Sequence, residues 1–200
     1  MKVFLFLYPI REYIREGQVG RWHQDLRKKG YDPGRLNELI DARYREKDYQ
    51  VVWVLFGEPH APDQPNMRNL SPLVTIYLGE DAAISCGVTF EEHVREKRYP
   101  DPASILTQLP VPIDHLVLGG FHQWDCIDTL AEYAHKQGLD VFVDEDCTEC
   151  FFSRTMMFGA IPLHRTRKEQ AAEVTRGLTG SDFIERIRKR RKSRPWLVQI

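Results

Sequence analysis

The sequence is poor in cysteine, with four in 200 residues, and small domains built on disulfides carry a far higher proportion. Any special role of Cys86, Cys126, Cys147 or Cys150 is therefore chemical: nucleophile, redox pair or metal ligand. Long apolar runs are missing as well. The longest, Val3 to Tyr8, falls far short of the ~20 residues that span a bilayer, and no small-residue cleavage site follows it. The chain is accordingly expected to be cytoplasmic, with no membrane partner. Net charge is also nearly absent, at −1. That balance hides an asymmetry, because Arg186, Arg188, Lys189, Arg190, Arg191, Lys192 and Arg194 place seven positive charges in one short segment and leave −8 for the rest. The body would repel phosphate, and no aromatic interrupts the basic run before Trp196, so nucleic acid is not the expected partner. There is no internal repeat and no low-complexity segment before this tail. What remains is 42% hydrophobic and 28% charged residues, the composition of one globular domain that folds in water.

The apolar residues are distributed as strands alternating with helices. Lys2 to Tyr8 is apolar without alternation, the pattern of a central parallel strand buried on both faces. Asp32-Pro-Gly predicts a helix start and Leu36, Leu39 and Ile40 carry its periodicity towards Lys47. Gln50 to Phe56 is a second buried strand. Residues 58–72 contain Pro59, Pro62, Pro65 and Pro72 and are expected to form a long irregular loop. Ala82 to Val88 follows as a short strand, with helices predicted over 90–97 and 102–109. Asp114 to Gly120, a helix over 124–137 stopped by Gly138, and a strand over 139–143 form the clearest strand–helix–strand unit. Helices are predicted over 148–158 and 167–176, with an edge strand at 160–163 between them. The reading is an α/β domain over residues 1–183, a doubly wound and mostly parallel sheet with helices on both faces, followed by a basic tail over 184–200. The apolar end of that tail, Pro195 to Ile200, is expected to pack on the body or on a second copy, which leaves a homo-oligomer open.

In such a fold ligands bind beyond the carboxyl ends of the strands. The richest strand end is Gly119-Gly-Phe-His-Gln-Trp-Asp-Cys126, which sets a thiol in the first turn of a helix, where the dipole favours thiolate. A small buried packing residue is the plainer role for Cys126. His122, four residues earlier, is a candidate base, and Trp124 is either a lid or a core residue. Cys147-Thr-Glu-Cys150 has the spacing of a redox pair or of half a zinc site, with Cys126 or His122 completing the latter, or is simply two packing thiols. Asp144, Glu145 and Asp146 at the same edge can do acid–base work or cap the next helix. Glu58 and His60 stand after the second strand, where an exposed loop is the plainer setting.

The stretch from Gly120 through Cys126, Ala134 and Gly138 to Asp146 resembles, without gaps, the nucleophile region of the isochorismatase-like cysteine hydrolases, the group of the nicotinamidases and carbamoylsarcosine amidases. With Phe158-Gly-Ala-Ile161 the resemblance covers residues 114–172. It implies a Rossmann-type three-layer sandwich, Cys126 attacking a carbonyl or imine-like carbon of a small amide, imide or ester, and a non-proline cis peptide at Phe121–His122. No cofactor and no metal ligand is assigned. The family acid at the end of the first strand has no match: Tyr8 stands there, and Glu12 could reach the site only by a loop curling back. The family lysine has no secure counterpart, although His93 and Lys97 are near in sequence. Cys126, His122 and Glu12 are thus the catalytic candidates, and Tyr8, Phe121, Trp124 and Asp146 the expected substrate contacts. The alternatives are an inactive relative serving as a binding or scaffold protein, and a zinc or redox protein using Cys147 and Cys150.

Overall fold

The computed structural model describes residues 1–14, 34–148, 161–176 and 180–200. The apolar run at the start forms β1 (Lys2–Leu7), in which every residue after Lys2 is buried. It pairs in parallel with β2 (Tyr49–Glu58) on one side and with β5 (His115–Gly120) on the other. Beyond β2 lies β4 (Ala82–Thr89), and beyond β5 lies β6 (Val141–Thr148), both parallel. The parallel strands therefore run β4-β2-β1-β5-β6. The chain winds outward from β1 in one direction and then, through β5, in the other, so the crossovers change direction between β1 and β5. This is the doubly wound α/β arrangement read from the sequence, and its switch point opens at Tyr8 and Phe121.

Among the described residues the helices are α1 (Gly34–Arg43), α2 (Phe90–Arg95), α3 (Pro102–Leu106), α4 (Asp128–Lys136), α5 (Arg167–Thr175) and α6 (Ser181–Lys192). Leu36, Leu39 and Ile40 of α1 and Leu130, Ala131 and Ala134 of α4 are buried as the periodicity required. Gly138 ends the α4 segment at φ 82°, a left-handed conformation that glycine adopts without strain. Gly120 is needed for another reason. At φ 109° a Cβ would stand 2.2 Å from the Leu7 carbonyl oxygen, so only glycine lets β5 approach β1 at the switch point.

Four expectations change. Residues 58–72 are not wholly irregular: Ala61–Pro65 forms β3, antiparallel to the end of β2, an edge position where proline removes no needed donor. The last strand runs to Thr148 rather than stopping at Val143, so Asp144, Glu145 and Asp146 lie inside β6 and are buried. They cap no helix, because each face of the strand supplies arginine. Arg43 bonds Asp144 and Asp146 at 2.9 Å each, Arg165 also pairs with Asp146, and Arg191 holds Glu145 at 2.7 and 2.8 Å. Third, the boundary drawn at 183 falls within α6. The segment beyond it buries Arg191, Trp196, Leu197 and Val198 against the same chain, the Val143 N–H donates to the Trp196 carbonyl at 2.8 Å, and Trp196 Nε1 donates to Asp128 at 2.8 Å. Fourth, Ile161 to Leu163 form no strand, and the rest of the helix predicted over 148–158 lies outside the described residues, as does Cys150.

Candidate active site

Cys126 is carried by a single π turn, Gln123–Ile127, that runs directly into α4. The turn starts from His122, whose φ of 63° and ψ of 53° are left-handed. Its carbonyl accepts from the N–H groups of Asp125 and Ile127 at 3.0 and 3.1 Å. Turned this way, the imidazole lies back over the turn, and His122 Nδ1 stands 3.8 Å from Cys126 Sγ. The only cis peptide among the described residues is Val111–Pro112; the Phe121–His122 bond is trans, and the left-handed His122 makes the bend instead.

A second histidine completes the group. His93 belongs to α2, which begins directly at the end of β4 through a capping box. The Thr89 N–H donates to Glu92 Oε2 at 2.8 Å and the Glu92 N–H donates to Thr89 Oγ1 at 3.2 Å. Glu92 also binds the Arg98 guanidinium at 2.6 Å, and the Arg98 carbonyl faces His93 Nδ1 at 3.1 Å. A carbonyl only accepts, so His93 carries its proton on Nδ1 and presents a bare lone pair at Nε2. That nitrogen lies 3.4 Å from His122 Nδ1. The His93 ring is buried between Phe56 and Tyr99, at centroid distances of 5.2 and 5.4 Å.

Tyr8 directly follows the last residue of β1 and is fully buried. Its ring stacks on Phe56 at 4.4 Å, and its buried hydroxyl has no hydrogen-bond partner within ordinary distance among the described residues. Burial, reinforced by the neighbouring Cys126 and Cys86 thiols, pushes its pKa well above the usual tyrosine range. Tyr8 is therefore an O–H donor beside the sulfur and not a base. Cys86 and Cys147 are buried thiols. Burial pushes Cys86 up to about 12, and burial together with Asp144 holds Cys147 well above the ordinary range. Cys126, at 8% exposure, lines a cavity of about 250 Å³ with Tyr8, Tyr99 and Asp125. His93, His122, Lys97 and Trp124 line an adjoining open pocket of about 450 Å³ that Tyr99 and Asp125 also border.

The remaining candidates separate. Glu12 is half-buried on the segment after β1 and is not a member of the His93–His122–Cys126 group, whose donor atoms all lie within 4.8 Å of one another. Phe121 is buried, its ring edge-on to Phe6 and stacked on Tyr13 at 5.3 Å, and so belongs to the core rather than to a substrate surface. Asp146 is occupied by Arg43 and Arg165 inside the sheet. Trp124 is not a core residue: it is 39% exposed at the pocket rim with Arg190 4.1 Å over its ring. Cys147 is no part of a metal-ligating cluster among the described residues. In the sequence His93 stands out only as a residue near the place of the lysine that the resemblance implies. The signal that could have found it is the Thr89-x-x-Glu92 capping box, which begins a helix at the strand end and sets the next residue over the site.

Neither a protein-family model nor a curated protein matches the chain. Among solved structures it is similar to N-carbamoylsarcosine amidase from Thermoplasma acidophilum, at 17% identity over 83% of this chain and 99% of that one, TM-score 0.48. It is also similar to a cysteine hydrolase from Pseudomonas syringae pv. phaseolicola, at 11% identity over 87% and 83%, TM-score 0.46. A third is the MAR1 ribonuclease from Caenorhabditis elegans, at 14% identity over 92% and 86%, TM-score 0.41. Isochorismatase-family hydrolases recur among such neighbours.

Proposed function

We propose that the chain is a hydrolase of small amides, imides or esters in which Cys126 is the nucleophile and His122 its proton acceptor. One observation carries this reading: the row Cys126 Sγ, His122 Nδ1, His93 Nε2 and Arg98 carbonyl, at 3.8, 3.4 and 3.1 Å, beside a pocket large enough for a small substrate. In outline it is a nucleophile, a base and a group that orients the base. The thiol proton passes to His122 Nδ1 as sulfur attacks the substrate carbon. The resulting Nδ1–H is then held by the His93 lone pair, which the Arg98 carbonyl keeps in the accepting tautomer. His122 returns the proton to the departing amine or alcohol, leaving a thioester on Cys126, and then takes a proton from the water that hydrolyses it. Tyr8 donates to the sulfur while it is anionic, and the Lys97 side chain on the pocket wall favours an oxyanion on the substrate.

The test is turnover of a panel of small amides, imides and esters by the full chain. Cys126→Ala is expected to reduce the rate to background while unfolding free energy stays within about 1 kcal/mol, since little buried volume is removed. Ligand-induced thermal stabilisation without any turnover would favour the binding-protein alternative, for which the occupation of the acid's place by Tyr8 is the supporting observation.

A further inference from the structure

The same three side chains face a conflict that proton chemistry leaves unsettled. With Nδ1 of His93 donating to the Arg98 carbonyl, its Nε2 can only accept. His122 Nδ1 can then donate to His93 or accept from the Cys126 thiol, but one nitrogen cannot do both at once. Two imidazole lone pairs and a sulfur thus converge with a single proton to share between the rings. We propose that His93 Nε2, His122 Nδ1 and Cys126 Sγ bind a thiophilic divalent metal ion of the zinc type, with a fourth position open towards the pocket.

The distances fit. A tetrahedral zinc with its usual bond lengths separates two nitrogen ligands by about 3.3–3.4 Å, and a nitrogen from a sulfur by about 3.6 Å. The corresponding separations here are 3.4 and 3.8 Å, and all three donor atoms lie within 4.8 Å of one another. The donor types suit zinc or cobalt and disfavour magnesium and calcium, which take oxygen. The support is of the kind metal histidines have: the far ring nitrogen of His93 is held by a backbone carbonyl, and its ring is clamped by aromatic neighbours. Coordination releases the thiol proton to solvent and forms a metal–thiolate bond. Because the ligands include both the nucleophile and the base of the proposed reaction, the metal-loaded chain cannot carry out attack by Cys126, so the ion acts as a reversible block on that chemistry.

Cobalt(II) titration of the chelator-stripped full chain tests the site by spectrum and not by turnover. The expected result is one equivalent bound, with a thiolate-to-cobalt charge-transfer band and the visible bands of a tetrahedral ion, displaced by zinc. Cys126→Ser should lose the charge-transfer band. His93→Gln should weaken binding by more than the roughly 10–100-fold that an outer-shell change costs, with far-UV dichroism showing that each variant is folded. Lack of a charge-transfer band in the wild-type chain would overturn the proposal. So would a band that survives in Cys126→Ala, which would assign the thiolate to another cysteine. A chain that binds cobalt in this way but hydrolyses nothing leaves the metal site standing and removes the hydrolase reading, while turnover without cobalt binding does the reverse.

Discussion

At the scale of single residues the chemistry turns on where protons are held. Tyr8 has an O–H that burial keeps protonated; it sits beside the Cys126 sulfur, and among the described residues the hydroxyl itself has no hydrogen-bond partner. A buried hydroxyl without a partner costs stability, and removing it relieves that cost. Tyr8→Phe is therefore expected to leave unfolding free energy unchanged or raise it by up to about 1 kcal/mol while slowing reaction of Cys126 with a soluble alkylating reagent. Denaturant titration and a labelling time course check the two halves. A variant that is destabilised and labels at the wild-type rate would show that Tyr8 only packs. The sequence already presented Cys126, His122 and Tyr8 together, because the turn after β5 and the end of β1 are local features. His93 was not legible as a partner, since its approach depends on β4 and β5 ending at the same sheet edge from 29 residues apart. Asp146 misleads for the opposite reason: a carboxylate attracts attention in a sequence whatever pairs with it in space, and here Arg43 and Arg165 take it.

At the scale of elements the carboxyl end of β6 shows how an acidic strand can be buried. Alternation puts Asp144 and Asp146 on one face, with Arg43 and Arg165, and Glu145 on the other, with Arg191 of α6 and Gln123 of the π turn. Glu145 thus ties the last helix to the turn that carries Cys126. Losing one partner of a buried ion pair strands the other charge. Arg191→Ala is expected to cost about 3–5 kcal/mol, measured by urea denaturation, and Glu145→Gln in that background should recover part of the loss. A cost below about 1 kcal/mol would mean that the pair is solvated rather than buried. A basic run reads as a solvated tail unless its acids are identified, and they lie 46 positions away. Strand existence and order, by contrast, were legible from uninterrupted apolar runs separated by helical periodicity.

Across the whole molecule, buried neutral acids set the pH response. Cys86 is pushed from 9.0 to about 12 by burial, and Cys147, Tyr44 and Tyr8 are also raised well above their ordinary values, primarily by burial. In the unfolded chain these groups lose protons from about pH 9 upward, whereas the folded chain retains them. Above that pH the folded state binds more protons, so stability must fall as pH rises, and for Cys86 the loss continues until about 12. Urea denaturation between about pH 8 and about pH 10.5 should give a declining unfolding free energy, with a shallower slope in Cys86→Ala. A flat or rising profile would mean that these groups are hydrated in the folded state.

The central claim is that Cys126, and not the sealed thiols of Cys86 and Cys147, is the reactive sulfur and that His122 takes its proton. Mass-mapped alkylation of the chelator-treated chain at neutral pH measures this directly. The expected result is that Cys126 labels first, at least about 10-fold ahead of Cys86 and Cys147, whose raised pKa values keep them protonated, and that His122→Ala slows Cys126 while leaving the other two unchanged. If Cys126 stays unlabelled while Cys86 or Cys147 reacts, or if it reacts at the same rate without His122, the account is contradicted.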